Sequence, residues 1–491
     1  MKYKILGVVA CAVMLLISAM NLPLLVVSDT GRYHQHLEAS EKTPCTHTDS
    51  ALCTHLPIIS IDTGGLDIPG KAIKEGQQTV GYTVAEDGSD RISAQIEVFD
   101  SRENNNHLAD TPGIVSDMTI HVRGNSSRTF DKLGYRLNLL DENGNNNHQP
   151  LLGMDAHHEW ALHGPILDKT LMRNYMWYNI AGEIMEYSPN VRFCELVING
   201  EYMGVYVLTE IITSGRDRGR LNLTIDAKDN TFSGYLLLLD RFDGEEENHL
   251  KSFTTYALRT RHKLEIVYPG ASNLTDELYE GIKRDFSAFE KSLYSYDYDS
   301  NSYGYESFID VDSFVDYFLI NEFTCNYDAG WLSTFMYKDI DGKFKMCIWD
   351  FNSACDNYQQ AFMPENRFET QLCLWYFMLF KDEEFTERCI ERYRELRKTF
   401  LNEQYLYDYI DSVVDYLGPA IKRNYEKWGY QFEEEYDLLR PAERNPRTYE
   451  ESIEAMKNFI AVRGKWMDEN IETLKQYSAE SKVKKFNENA N

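Results

Sequence analysis

The chain has 491 residues and a net charge of -28, from 78 acidic and 50 basic residues. Hydrophobic residues make up 43% of it and aromatic residues 13%. This composition excludes a largely disordered or collagenous chain, and the length allows one large domain or roughly two to three ordinary ones. Because a nucleic-acid binder presents a basic face to the phosphates, the charge argues against nucleic acid as a partner. Divalent cations and basic substrates are compatible with it.

An uncharged apolar stretch opens the chain. It runs for 23 residues from Ile5 to Val27, and Lys2 and Lys4 precede it. At about 1.5 Å per helical residue, this length crosses a hydrocarbon core of about 30 Å. The basic flank favours a cytoplasmic N-terminus and an exported remainder. We therefore expect residues 1–27 to be a signal anchor, with the rest of the chain outside the cytoplasm. A cleaved signal, which would leave a secreted protein, is the alternative.

The cysteines fall into two groups. Cys45 and Cys53 lie in the polar segment 28–55, which we predict to be a tether, and a histidine stands two residues after each of them. A disulfide between the two suits an exported segment, whereas no bond, or a zinc site with the histidines, stays open. Six others lie in apolar contexts and are expected in the core. These are Cys194, Cys325, Cys347, Cys355, Cys373 and Cys389.

The first half of the folded region has mainly strand patterns. We predict strands over residues 56–61, 81–100, 118–122, 135–139, 194–198, 206–209 and 234–240, and one helix over 168–184. Asn199-Gly200 is a strong hairpin turn signal. The last of these strands is almost continuously apolar, which indicates a central position in a sheet.

Beyond about residue 275 the pattern becomes helical. We predict helices over 278–294 and 311–323, then four or five amphipathic helices between 368 and 477. One hairpin interrupts them, with strands over 334–338 and 344–349, and residues 478–491 form a disordered tail. The fold class predicted from this order is α+β, with a strand-rich N-terminal half, a helix-rich C-terminal half and two lobes.

The two ends of that hairpin carry the sharpest signal for chemistry. Asp328 precedes its first strand and Asp350 ends its second, so both carboxylates should meet at the open end of the hairpin. Phosphoryl transfer needs such a pair, because one carboxylate orients the attacking hydroxyl and another holds the Mg²⁺ that bridges the phosphates. Two aspartates that only cap turns fit the same spacing. A glycosidase is a weaker alternative, since no other pair of acids stands out better.

A second signal is the loop Arg123-Gly124-Asn125-Ser126-Ser127 between two predicted strands. Small residues let backbone N–H groups approach an anion, and arginine supplies charge. Lys132 and Arg136 follow this loop, and Glu210 ends another apolar strand, where it could pair with a phosphate-binding lysine. An ordinary hairpin loop and a solvated strand end remain the alternatives.

In chain order, five short segments resemble the CotH kinase family, the atypical spore-coat protein kinases and their relatives. They are Leu56-Pro57-Ile58-Ile59-Ser60-Ile61-Asp62-Thr63-Gly64-Gly65, the Arg123 to Ser127 loop with Tyr135-Arg136-Leu137, residues 168–174, Gly204-Val205-Tyr206-Val207-Leu208-Thr209-Glu210, and Trp349-Asp350-Phe351. They extend over roughly residues 56–360. Each segment is short, and the resemblance rests on the occurrence of all five in the order that the family has.

The resemblance implies an atypical, bilobal protein-kinase-like fold over residues 56–477. It implies an enzyme that uses ATP and Mg²⁺, with Mn²⁺ as an alternative cation, to phosphorylate Ser or Thr in coat or cell-surface proteins. By position, Asp328 matches the catalytic aspartate and Asp350 the metal-binding one. The candidates for nucleotide binding are Arg123, Ser126, Lys132, Arg136 and Glu210.

Three positions depart from the family pattern. Ser333 stands where the family usually has an Asn metal ligand, Asn352 stands where it often has Asp, and Leu238 replaces a frequent acid. Ser333 and Asn352 remain candidate metal ligands, because each still offers an oxygen. Since each change removes or weakens a polar ligand, the alternative function is a catalytically inactive kinase-like scaffold or a surface-binding protein.

Overall fold

The computed structural model describes residues 31–38, 41–44, 46–49, 51–76, 78–214, 221, 223–224, 233–241, 248–258, 262–359 and 365–479. The chain divides into two compact units, residues 1–34 and 35–491. In the first unit only residues 31–34 are described. The predicted signal anchor, Cys45 with its predicted disulfide, and most of the predicted tail lie outside the described residues.

The helices and strands of the described residues belong to the second unit. The strands are β1 (Cys53–Thr54), β2 (Ile58–Asp62), β3 (Ala72–Glu75), β4 (Gln78–Tyr82), β5 (Ile92–Phe99), β6 (Asn106–His107), β7 (Ile114–Arg123), β8 (Gly134–Leu140), β9 (Glu159–His163), β10 (Val191–Ile198), β11 (Glu201–Glu210), β12 (Tyr235–Arg241), β13 (His262–Tyr268), β14 (Thr334–Lys338) and β15 (Lys345–Cys347). The α-helices are α1 (Arg173–Ile184), α2 (Phe253–Leu258), α3 (Asp276–Leu293), α4 (Val311–Thr324), α5 (Leu374–Leu379), α6 (Glu383–Leu396), α7 (Glu403–Leu417), α8 (Pro419–Trp428) and α9 (Tyr449–Asn470).

Strands of the first half close into a barrel in the order β10-β11-β9-β8-β7-β5-β2. Neighbours are antiparallel except β2 and β10, which are parallel and close the barrel. Residues alternate between its two faces, as a strand requires. On β7, Met118, Ile120 and Val122 are buried in the barrel core, while Val115 and Asp117 are exposed. This alternation is why the barrel strands could be recognised from sequence.

A second sheet has the order β13-β12-β14-β15, with antiparallel neighbours throughout. The apolar strand β12 lies inside this sheet, as predicted. Its strands and most of the helices contribute to the largest hydrophobic core of the described residues. The predicted helices 278–294 and 311–323 agree with α3 and α4 to within two residues. Strands dominate before residue 270 and helices after it, so the fold mixes both as α+β.

Several predicted elements have different bounds, and for two of them the structure shows the cause. The predicted strand 81–100 is interrupted, because a turn with Gly88 at φ +84° separates β4 from β5. The predicted helix 168–184 begins only at Arg173, because the Asp168 carboxylate accepts hydrogen bonds from the backbone N–H of Thr170 (3.0 Å) and of Arg173 (2.7 Å). Leu171, at φ 66°, continues that turn. The carboxylate therefore organises the residues ahead of the helix, where the apolar periodicity suggested helix.

Two further sequence expectations concern the membrane and the cysteines. Across the described ranges, no helix has both the length and the apolar character needed to cross a bilayer. The apolar stretch 5–27 lies outside those ranges. All six cysteines predicted for the core are buried.

Candidate active site

A cavity of about 270 Å³ lies where the ends of several strands meet. The loop after β7 forms one side, the end of β12 and the turn before β14 form another, and the residues after β15 form a third. Residues of α1 and of the segment after β9 complete it. The polar side chains in its lining are Arg123, Asn125, Ser126, Ser127, His163, Asn174, Tyr178, Thr209, Asp240, Arg241, Asp328, Ser333, Trp349, Asp350, Asn352 and Ser353.

The loop after β7 needs its small residues for steric reasons. Gly124 has φ +99°, and a Cβ there would lie 1.9 Å from Ser127 Oγ. The chain then turns through a short 3₁₀ helix over Ser126–Thr129. Ser127 Oγ donates to the Arg123 carbonyl at 3.4 Å. The sequence Gly-Asn-Ser-Ser therefore allows a tight turn whose backbone lines the cavity.

Arg123 brings positive charge to this loop. Its guanidinium carbon lies 5.3 Å from the ring centroid of Trp349, a cation–π contact that orients the side chain. Burial lowers the pKa of Arg123, and the charges of Tyr178 and Asp350 oppose that effect. Since arginine stays protonated in proteins, a fixed cation faces the Asp350 side of the cavity.

Three carboxylates face the same cavity: Asp240, Asp328 and Asp350. Burial, and then the charge of Asp350, raise the pKa of Asp328 to about 6. Burial also raises the pKa of Asp350, with Asp240 adding to it, whereas the N–H of Asn352 and the charge of Arg123 lower it. Burial raises the pKa of Asp240. Partly desolvated carboxylates that repel one another are a strong attractor for cations.

Helix α1 holds the segment that carries Asp350. The backbone N–H of Asp350 donates to the Tyr178 hydroxyl at 2.9 Å. The N–H of Phe351 donates to Asn174 Oδ1 at 2.7 Å, and Asn174 Nδ2 lies 3.3 Å from Asn352 Oδ1. Asp350 has φ 56°, so the chain bends sharply at this residue. The polar face of α1 therefore fixes the direction of both Asp350 and Asn352.

A buried ion pair also holds the segment that follows Asp350. Arg173 and Asp168 lie 2.5 Å apart, and both side chains are almost wholly buried. Arg173 Nε also donates to the Ala354 carbonyl at 2.9 Å, and its Nη2 donates to the Cys355 carbonyl at 3.3 Å. The start of α1 and the residues after Asp350 are thus tied together.

The oxygen donors suit a hard divalent cation such as Mg²⁺. Asp350 and Asp240 supply carboxylates, Asn352 an amide oxygen and Ser333 a hydroxyl, whose Oγ lies 3.4 Å from Asp240 Oδ2. The described residues contain no group of three or more His, Cys, Asp or Glu placed to hold one ion. Mg²⁺ is commonly bound through one or two carboxylates, with water and substrate phosphates completing its shell. The donor set therefore fits Mg²⁺ bound together with a nucleotide.

Lys132 was predicted as a nucleotide contact, but it is not among the residues that line the cavity. It is buried, and its Nζ donates to the Val205 carbonyl and to Asn424 Oδ1, both at 2.8 Å. Burial lowers its pKa well below the usual value. Asn424 belongs to α8 and also approaches Gly204, where a Cβ would lie 2.6 Å from its Oδ1. Lys132 therefore links the end of the cavity loop to β11 and α8.

Arg136 and Glu210 also lie outside the described lining of the cavity. Arg136 forms an ion pair with Glu159 at 2.8 Å on the neighbouring strand. Glu210 is buried at the end of β11, where its Oε2 accepts from the backbone N–H of Asn190 at 2.8 Å. Roles of these residues and of Lys132 in nucleotide binding stay predictions. The other predicted residues, Arg123, Ser126, Asp328, Ser333, Asp350 and Asn352, all line the cavity.

Sequence reasoning overlooked Asp240 as a site residue. It lies two residues after Leu238, so both side chains share one face of β12, and Asp240 is the one that reaches the cavity. The signal was present, since Asp240 directly follows the apolar run of a strand that was predicted to be central. Asn174 and Tyr178 were missed because their helix was interpreted only through its apolar positions.

A pair of carboxylates facing an arginine-bearing loop of small residues is the kind of site that kinase-like proteins use for phosphoryl transfer. The family model described as CotH kinase protein matches residues 120–467. Because the match covers well over half of the chain, the chain belongs to the CotH kinase family and is a kinase-like protein. Among curated proteins, no significant sequence match is found.

Proposed function

We propose that this chain is an ATP- and Mg²⁺-dependent protein kinase that transfers the γ-phosphoryl group to Ser or Thr hydroxyls of a protein acceptor. The observation that carries the proposal is the convergence of Asp328 and Asp350 in one cavity, opposite the loop that bears Arg123. These carboxylates come from the two ends of one hairpin, so their separation is fixed by a short, rigid element.

Each residue has a distinct proposed role. Asp328 accepts a hydrogen bond from the acceptor hydroxyl and orients it for attack. With a pKa of about 6, it is mainly ionised at neutral pH. Asp350 and Asn352, with Asp240 and Ser333 beside them, would hold Mg²⁺, which when bound neutralises phosphate charge.

The phosphate end of the cavity is the loop after β7. Arg123 and the backbone N–H groups around Gly124 and Ser126 would bind the phosphate oxygens, since donors and positive charge stabilise the charge of the transferring group. Trp349 keeps the guanidinium in place through the contact described above.

Phosphoryl transfer by the full chain tests the proposal. With radiolabelled ATP, Mg²⁺ and a Ser-rich basic acceptor, we expect label on the acceptor, and we expect Asp350→Asn to abolish it. Asn is the appropriate replacement because it tolerates the left-handed backbone at φ 56° and keeps the side chain's shape. The exposed Asp117→Asn on β7 is the matched control and should retain full transfer. Transfer that survives Asp350→Asn would refute the site assignment.

An inactive kinase-like scaffold is the second candidate, and Ser333 is the observation that favours it. Its hydroxyl lies 3.4 Å from Asp240 and replaces an amide ligand with a weaker one. The transfer assay, together with the melting temperature measured with and without ATP, separates the two functions. An ATP-dependent rise in melting temperature without transfer to any acceptor would favour the scaffold, and the absence of both would exclude the enzyme.

We further propose that the catalytic region faces the outside of the cytoplasm, anchored in the membrane by residues 5–27, and that its acceptors are coat or cell-surface proteins. The support is the 23-residue apolar run with its basic flank. Resistance to alkaline carbonate extraction, together with protease sensitivity in intact cells freed of their wall, is the expected result. Recovery in the soluble cytoplasmic fraction would contradict the proposal.

A further inference from the structure

The hairpin β3–β4 is a separate two-stranded sheet outside the barrel. Its two strands pair only with each other within the described part of the chain. Most of its residues are exposed, which leaves it without a core of its own. A two-stranded hairpin with no packed face is only marginally stable in water, and a third strand is what normally stabilises it.

Large apolar side chains are concentrated on this hairpin and its flanks. Leu66, Val80, Tyr82 and Val84 are between 37% and 62% exposed, all within 19 residues of sequence. We name these four residues the docking surface. Val80 and Tyr82 alternate along β4 and so share a face, Val84 follows two residues later, and Leu66 and Val84 line the same groove. Exposed β-branched residues on an unpaired strand edge mark a place where another chain adds a strand.

A groove of about 690 Å³ runs beside the docking surface. Leu66 and Val84 form part of its lining, and Asp67, Glu86 and Asp87 contribute acidic groups. Arg91 also lines the groove, and its guanidinium is paired with Asp90 at 2.8 Å. Apolar side chains beside these acidic ones suit a segment that alternates apolar and basic residues, and the net charge of -28 attracts the same chemistry.

The docking surface is continuous with the candidate active site. The Arg128 guanidinium lies 4.5 Å from the ring centroid of Tyr82, and Arg128 belongs to the short turn whose Ser126 and Ser127 line the cavity. Thr119 lines the groove and Arg123 lines the cavity, and both are on β7. The two residues are four steps apart along the strand, which is about 13 Å. An extended segment of some four or more residues would bridge the two sites.

We propose that the docking surface binds an extended basic segment of the acceptor polypeptide, which adds a strand to β3–β4 and leads the acceptor hydroxyl into the cavity. This inference rests on the proposed kinase function for its acceptor. Main-chain hydrogen bonds to the strand edge supply affinity, the exposed apolar residues select alternate side chains, and the acidic groove selects positive charge. The acceptor residue should lie at least about four residues from the docked segment.

Two synthetic peptides test the proposal with the full chain. The long peptide has alternating Val and Lys residues followed, after a six-residue spacer, by a single Ser. The short peptide contains only the spacer and the Ser. The double variant Val80→Asp/Val84→Asp should raise KM for the long peptide at least tenfold with little change in kcat. Transfer to the short peptide and the ATP-dependent rise in melting temperature should stay as in the wild type.

Val115→Asp is the matched control, because Val115 is 51% exposed, close to the 52% of Val80, and lies at the start of β7, away from the docking surface. It should leave KM for the long peptide unchanged. Leu66→Asp is a second test variant, because Leu66 lines the groove together with Val84, and it should raise KM in the same direction. An unchanged KM in the double variant, or an equal rise in the control, would overturn the proposal.

Binding measured without ATP separates this inference from the kinase function. Fluorescence anisotropy of the labelled long peptide should show at least tenfold weaker binding to the double variant than to the wild type, even if no protein transfers phosphate. Equal binding to both proteins would overturn the docking proposal. A wild-type dimer that the double variant converts to a monomer in size-exclusion chromatography would assign the surface to a second copy of the chain, and would overturn it as well.

Discussion

Replacing Asp328 with asparagine should stabilise the fold while removing activity. Burial and the neighbouring Asp350 raise the pKa of Asp328 from its ordinary 3.8 to about 6. That difference corresponds to about 3 kcal/mol of stability that the ionised carboxylate costs in the folded state. Asparagine keeps the shape and carries no charge, so Asp328→Asn should gain up to about 3 kcal/mol at pH 7.5, and lose phosphoryl transfer by at least about 100-fold.

The gain should depend on pH with a definite sign. Well below the ordinary pKa of 3.8 the carboxyl is protonated in both the folded and unfolded chains, so the variant and the wild type should differ little. As pH rises through that value towards about 6, the unfolded chain ionises first and the folded wild type loses stability relative to the variant. Urea unfolding at pH 5 and pH 7.5 measures this, with the exposed Asp117→Asn as control. No stabilisation at pH 7.5, or an equal gain at both pH values, would refute the reasoning.

The remaining predictions concern residues around the two aspartates. Asp240→Asn should raise the Mg²⁺ concentration for half-maximal transfer about tenfold without lowering the melting temperature, and an unchanged Mg²⁺ titration would remove Asp240 from the cation site. Arg173→Leu should destabilise the fold by about 3–5 kcal/mol, because it leaves the buried Asp168 carboxylate unpaired; chemical unfolding measures this, and a loss below about 1 kcal/mol would contradict it. Gly124→Ala should weaken ATP binding at least fivefold in calorimetry, since its Cβ would displace Ser127 and its backbone has φ +99°; wild-type affinity would show that the loop does not bind phosphate.

The sequence was sufficient where local chemistry determines structure. Asp341 and Gly342 form the turn between β14 and β15, and the first strand of that hairpin has the predicted bounds. The hairpin brings Asp328 and Asp350 to one cavity because antiparallel strands return the chain to the same edge. The second strand is shorter than predicted and ends at Cys347. Apolar residues beyond it continue into the core, so hydrophobicity alone did not show where pairing ends.

Other features depend on contacts distant in sequence. The barrel closes through the parallel pairing of Ile58 with Glu195, and no local pattern specifies that partner. The side-chain amine of Lys132 is held by a hydrogen bond to Asn424, which lies 292 residues further along the chain. A lysine after a loop of small residues has the same local signal whether its amine enters a phosphate site or a buried network. The site role of Asp240 likewise depends on the pairing of β12 with β14, which brings it beside Ser333.

Asp350 and Asn352 are proposed to hold a divalent cation beside a nucleotide. A crystal structure of the full chain with a non-hydrolysable ATP analogue and Mn²⁺, collected at the manganese edge, would locate that cation. We predict an anomalous peak within coordination distance of the Asp350 carboxylate and of the analogue's phosphates, with the phosphates against the Arg123 loop. Nucleotide bound without a peak there, or a peak coordinated by other residues, would refute the proposed cation site.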